Sequence, residues 1–269
     1  MGHCAPAKAP ALACFPVHLY RSPIRGILPI TSKNTSPRQK PITWHTAFRD
    51  GIQLTFFPYR HLLQFVFEYP LNTEPLRIDA VIIKKQPGAV IENPLGALFR
   101  NVNIIEYKSP GDYLSVEDYH KTGAYARLYS VLNRVESGDM TISFVGEGYP
   151  RKMLNYVKGK YGYKVEERGA GIYYVEGDIC GVQVIETKRL GGGGEWLRDL
   201  RGGLKGEELR GIMERWRGMP AGTPLGAYIP VVLRANGVVL EEMVEMPNIT
   251  FEEVLERHGF TTKWKEEGR

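Results

Sequence analysis

One thirty-residue stretch constrains this chain more than any other, because it changes period from strand to helix across a single turn. Asn101 to Ser130 reads NVNIIEYKSPGDYLSVEDYHKTGAYARLYS. Val102 to Lys108 is an apolar, β-branched strand, and Ser109-Pro110-Gly111-Asp112 supplies a turn. From Val116 to Leu132 the pattern is helical, with Asp112 or Ser115 near its start. Side chains two apart on a strand share a face, so Glu106 and Lys108 project together at the strand's end.

The flanking chain extends this into an architecture. Trp44, Phe48, Ile52 and Phe56 recur every four residues, which predicts an amphipathic helix with Thr43 at its cap. Residues 64–71 and 77–85 read as strands, separated by the turn Asn72-Thr73-Glu74-Pro75. After the helix at 116–132 come a strand at 141–145, a helix at 150–161, and strands at 163–167, 171–176 and 182–187. Helix, three strands, helix, strand implies an α/β class, a mixed central sheet flanked by helices. Within the second helix, Tyr125, Leu128, Tyr129 and Leu132 form the expected core-facing stripe, and Gly123-Ala124 would permit close packing. The tetraglycine 191–194 marks a boundary, lacking the Lys-Ser/Thr of a phosphate loop. Beyond it lie helices at 195–200 and 207–216, an apolar segment at 228–240, and a last helix at 250–258 capped by Thr250. Three parts are therefore expected: a basic arm (1–41), an α/β domain (42–190) and a mainly helical C-terminal extension (191–269).

Charge is distributed unevenly. The net of +5 comes from the front of the chain, where residues 1–49 carry seven Lys or Arg and no Asp or Glu. The remaining residues hold 28 basic against 30 acidic side chains, so charge alone does not make the body a nucleic-acid surface. The proline-rich, aperiodic front reads as a flexible arm, and its basic side chains suit phosphates or upstream sequence read through from a misplaced start. No apolar run approaches the length of a membrane span, which points away from a membrane partner. Three scattered cysteines suit neither a disulfide framework nor a zinc site, and the expected setting is reducing and cytoplasmic. His45, His61, His120 and His258 have no metal-ligand spacing among them.

The candidate chemistry lies where two strands meet. If 77–85 and 102–108 pair antiparallel, facing residues have numbers that add to a constant. Asp79 facing Glu106 sets that constant at 185 and centres the connection on Glu92-Asn93, inside a loop bounded by Pro and Gly. Two facing carboxylates could hold Mg²⁺ or Mn²⁺ through hard oxygen ligands, with Lys108 beside them to orient a water or stabilise charge on a phosphoryl centre. A second Glu-x-Lys, Glu186-Thr187-Lys188, also ends an apolar strand. A Glu176–Glu186 pairing centred on Gly181 is feasible there, but the tetraglycine follows in place of a helix, and a charged strand end is the expected reading. Lys121 and Tyr125, four apart, share a helix face and are candidates for supporting or phosphate-contacting roles. Asp112 and Asp118 read as turn and cap residues.

Arg77-Ile78-Asp79, then Asn103-Ile104-Ile105-Glu106-Tyr107-Lys108-Ser109-Pro110, with Asp112, Asp118-Tyr119, Lys121 and Tyr125-Ala126, resembles the PD-(D/E)XK nuclease superfamily. More narrowly, it is similar to bacterial members near the Rpn-type recombination-promoting nucleases and transposase-like proteins. The resemblance covers roughly residues 41–269. It implies a restriction-endonuclease-like αβββαβ core, dependence on Mg²⁺ or Mn²⁺, and hydrolysis of DNA phosphodiesters. By motif match it makes Asp79 and Glu106 metal ligands and Lys108 the catalytic lysine. Ile78 stands where the superfamily name has Pro. Many members add an acid from the first helix. Here Asp50 is the only acid in that helix, and Glu68, on the strand entering the hairpin, is the alternative third ligand. A catalytically weak nucleic-acid-binding or regulatory protein on the same fold is the second reading. The apolar run Tyr228 to Leu233 either completes the core or supports a homo-oligomer.

Overall fold

In a computed structural model, the structure describes residues 42–67, 81–220, 223 and 226–239, all within one compact unit spanning Pro41–Arg269. In chain order the elements are α1 (Trp44–Thr55), β1 (Leu63–Phe67), β2 (Val81–Lys85), β3 (Val102–Tyr107), α2 (Val116–Asn133) and β4 (Met140–Gly146). They continue with α3 (Arg151–Tyr161), β5 (Lys164–Gly169), β6 (Ile172–Glu176), β7 (Gly181–Glu186), α4 (Glu195–Arg198), α5 (Gly206–Arg217) and α6 (Tyr228–Ala235). The fold is mixed α/β, with a seven-stranded sheet in the order β1-β2-β3-β4-β7-β6-β5. β3, β4 and β7 run parallel, and every other neighbouring pair is antiparallel. The helix, three strands, helix and strand expected at the front are all present, with α2 as the crossover between parallel β3 and β4. No helix among the described residues is long and apolar enough to cross a membrane.

The alternation of strand side chains divides the interior into two cores. Ile83, Ile105, Tyr107, Val145 and Ile185 project to one face, where α1, α4, α5 and α6 cover them. Ile82, Ile104, Ile142, Phe144 and Val184 project to the other, under α2 and α3. Both faces of the central strands are therefore buried, and these strands read as continuous apolar runs for that reason. The helices beyond the tetraglycine are not detached from the domain. Tyr228 and Trp216 are fully buried in the same cluster as Phe48 and Ile52 of α1. Gly51 makes that approach possible, since a Cβ there would stand 3.2 Å from the Tyr228 ring. Tyr228 to Leu233 thus completes the core, as one of its two sequence readings held.

Four local expectations require correction. Val81 pairs with Ile105 and Lys84 with Val102, so facing numbers on β2 and β3 add to 186, one more than a direct Asp79–Glu106 pairing needs. Asp79 and Glu68 themselves lie outside the described residues, as does the helix expected at 250–258. On α2, Tyr129 is buried but Leu128 and Leu132 are exposed, 36% and 53%, and the inward face is Tyr119, Thr122, Ala126 and Tyr129. The capping box that Ser115 and Asp118 form turns Asp118 inward, which rotates Tyr119, Thr122, Ala126 and Tyr129 onto the sheet and the leucines away from it. Gly123-Ala124 serves no close helix approach: Ala124 is exposed, and the atom nearest a Cβ at Gly123 belongs to Arg127 of the same helix. Finally, β6 pairs with β7 so that Ile172 faces Ile185 and Val175 faces Val182, which leaves Glu176 and Glu186 unpaired with each other.

Candidate functional site

β3 ends on the face covered by α2. Glu106 follows Ile104 on that face and is buried, with 3% exposure. Lys108 lies just past the strand, its N–H donating to the Val145 carbonyl of β4 at 2.9 Å, so the backbone there is still tied into the sheet. The turn through Gly111, at φ +90°, then leads into α2, whose Ser115 N-cap accepts from the Asp118 N–H at 3.1 Å. Asp118 Oδ2 accepts in return from the Ser115 N–H at 2.9 Å. The first turn of the helix is thereby locked against the strand end.

Four ionised side chains meet at this junction. Lys108 Nζ lies 2.8 Å from Asp118 Oδ1 and 3.6 Å from Glu106 Oε1. Lys121 Nζ lies 3.3 Å from the same Glu106 oxygen and 4.0 Å from Asp118 Oδ1. Glu106 Oε2 is buried with no hydrogen-bond partner among the described residues. Burial pushes the Glu106 carboxyl above its ordinary value, the two lysines only partly offsetting it and Asp118 adding to the rise. The Lys108 ammonium is also held high: burial works against the charge, but the hydrogen bond and charge of Asp118 and the charge of Glu106 outweigh it. Asp118 is held low, since the Lys108 and Ser115 hydrogen bonds overcome its own desolvation.

Of the residues that sequence reasoning singled out, the structure brings Glu106, Lys108 and Lys121 together. Tyr125 is half-buried against the core beneath α2. Asp50 belongs to the opposite face of the sheet. Its Oδ2 accepts the N–H groups of Ala227 and Tyr228 at 2.6 and 3.1 Å, so this carboxylate caps α6 and is not a third ligand for the junction. Burial raises its carboxyl, and those two amides hold it partly down. Among the described residues no three His, Cys, Asp or Glu side chains are grouped to hold a metal ion. Sequence reasoning placed Asp118 as a cap, which it is, and missed its ion pair with Lys108. Ser115-x-x-Asp118 directly after a strand-and-turn is the signal that could have found it.

No protein-family model, curated protein or solved structure matches this chain. The site therefore stands on its own chemistry. A divalent cation asks for hard oxygen donors. Glu106 Oε2 fits that demand, being a carboxyl oxygen held in the interior without a hydrogen-bond partner among the described residues. The Asp118 carboxylate fits it less well, since Lys108 and Ser115 already occupy both of its oxygens.

The second Glu-x-Lys is built differently. Glu186 Oε2 accepts the Tyr173 hydroxyl at 2.9 Å, and the Arg189 guanidinium lies 3.8 Å away. After it the chain coils into a 3₁₀ turn, Thr187–Arg189, and Lys188 swings out to Glu147 at 3.0 Å with its side chain 55% exposed. The expected reading as a charged strand end agrees with this geometry.

Proposed function

We propose that this protein is a metal-dependent phosphodiester hydrolase acting on DNA, with its site at the β3–α2 junction. The observation that carries the reading is Glu106: a buried carboxylate with one oxygen unpartnered and an ammonium, Lys108, at its side. Glu106 through Oε2, with Asp79 and Glu68 as the further carboxylates, would hold Mg²⁺ or Mn²⁺. Such an ion, when bound, polarises the phosphoryl group and makes an attacking water more acidic. The protein's own part is positional. Lys108, kept protonated by Asp118, places a fixed positive charge where negative charge accumulates on the phosphoryl oxygens. Lys121, with its side chain 38% exposed, offers a second ammonium to an approaching phosphate.

The test is plasmid nicking in Mg²⁺ with and without EDTA. Wild type should cleave, EDTA should abolish cleavage, and Glu106→Gln, Lys108→Ala and Asp79→Ala should each be defective. A Lys108→Ala or Asp79→Ala protein cleaving at the wild-type rate would sink the assignment. A second reading, a nucleic-acid-binding protein with little catalysis, is favoured by one observation. Lys108 is engaged more closely by Asp118 than by Glu106. It predicts DNA retention on a gel without turnover and no Mn²⁺ binding by titration calorimetry.

A further inference from the structure

A cleft of about 210 Å³ opens between α2 and the end of α3, on the flank of α2 away from Lys121. Tyrosines wall it. Tyr119, Tyr161 and Tyr163 lie within about 35° of a common plane direction, Tyr161 being 5.3 Å from Tyr163 and 6.4 Å from Tyr119 between ring centres. The Tyr163 ring owes its position to a glycine: a Cβ at Gly177, where φ is +121°, would stand 2.5 Å from the ring. Asp178, in the β6–β7 turn, accepts the Tyr119 hydroxyl and the Cys180 N–H. A carboxylate has about four acceptor positions, so Asp178 retains capacity for a ligand. Arg127 lines the same cleft, where Gly123 leaves room beside its guanidinium.

The lining selects its ligand by elimination. Arg127 opposes a cationic guest, which argues against a quaternary-ammonium cage, and Asp178 opposes an anionic one. The volume falls below the roughly 300–1,000 Å³ usual for drug-sized ligands, so a fragment of one or two rings fits and a whole cofactor does not. Tyr161 and Tyr163 are tilted by 34° to each other, and an aromatic face favours a flat guest, because stacking is face to face with offset. A carboxylate at the wall favours a guest with N–H donors on its edge.

We infer that this cleft binds a neutral, planar, hydrogen-bonding heteroaromatic ring, an unpaired nucleobase, stacked on Tyr161 and Tyr163 and donating to Asp178. Guanine serves the carboxylate best, since its ring N–H and amino group are adjacent donors. Stacking of bases on aromatic side chains tolerates every base, so the other three bind more weakly through it. The inference is independent of the hydrolase reading, because none of these residues belongs to the β3–α2 ion cluster.

Saturation-transfer NMR on the full chain tests it, with deoxyguanosine, deoxyadenosine, deoxycytidine, thymidine, choline and benzoate as probes. Transfer to nucleoside ring protons is expected, strongest for deoxyguanosine. It should fall at least about fivefold in Tyr161→Ala, a ring 41% exposed whose removal should leave the circular-dichroism spectrum unchanged. Asp178→Asn should remove the preference for deoxyguanosine while leaving the other bases within about twofold. Glu106→Gln should bind as wild type does. Absence of transfer from all four nucleosides, equal transfer in Tyr161→Ala, or saturation of choline or benzoate in their place would overturn the inference.

Discussion

The ends of β3 and β7 carry the same tripeptide pattern and opposite environments. Glu106 is 3% exposed and shares one oxygen between two lysines, while its other oxygen has no hydrogen-bond partner among the described residues. Glu186 accepts the Tyr173 hydroxyl and lies 3.8 Å from Arg189, a guanidinium that pairs more closely with Glu167 at 2.8 Å, while Lys188 turns away to Glu147. What separates them is the next dozen residues. After Lys108 a turn delivers a capped helix that brings Asp118 and Lys121 back over the strand end. After Glu186 the backbone coils at once into a 3₁₀ turn, and what returns is the Arg189 side chain, 3.8 Å away. A Glu-x-Lys at a strand end is a surface feature unless the following chain covers it, and here only the first is covered.

That contrast can be broken most decisively by activity. Lys108→Met should lower Mg²⁺-dependent plasmid nicking by about a hundredfold or more, the usual scale for removing one stabilising charge. Lys188→Met should stay within about twofold. Equal losses at both positions would erase the distinction. A smaller but clear difference is expected in stability. Asp118→Ala removes a helix cap and leaves Lys108 without its nearest partner, and should cost about 1–2 kcal/mol in urea unfolding. Lys188→Ala, which breaks only a partly exposed ion pair with Glu147, should change stability by less than about 0.5 kcal/mol.

Proton linkage sharpens the comparison further. The folded-state carboxyl of Glu106 is raised above the ordinary 4.5, so its protonated form favours the fold and that contribution is lost as pH rises through the folded value. Glu106→Gln should therefore melt a few degrees higher than wild type at pH 7, with the gain shrinking as pH falls toward 4.5 and below. Glu186→Gln, which keeps an acceptor oxygen for the Tyr173 hydroxyl, should show the smallest change of the series, and melting curves at pH 4 and 7 check both. A Glu106→Gln protein that melts lower at pH 7 would mean that its lysine pairs outweigh its desolvation.

The local parts of this arrangement were legible in the chain. Val102 to Tyr107 and the helix after it follow from residue type and period, and the split of strand faces follows from them. Register was not. The connection between Lys85 and Val102 includes a 3₁₀ turn at Pro94–Gly96, capped by the Asn93 side chain, and its midpoint does not fix which residues face each other. The faces do: Ile82 opposite Ile104 keeps both under α2. The rotation of α2 was misread because large apolar residues were weighted over the inward pull on Asp118, which leaves Leu128 and Leu132 outside. Asp50 was misplaced because its partners lie 177 and 178 residues away, beyond any local pattern. The tyrosine cleft was invisible for the same reason, Tyr119 and Asp178 being 59 residues apart.

The cap that Asp50 places on α6 has a consequence for biosynthesis. α1 precedes every other described element, yet α6, which shares its apolar cluster, is the last one described. The part of the α1 stripe that Tyr228 covers stays open until residues 177 and 178 positions beyond Asp50 have been made. Loops of this span close slowly, and an uncovered stripe is a target for association with other chains. The share of the stripe that Tyr107 and α4 cover first therefore sets how much of it is left to shelter.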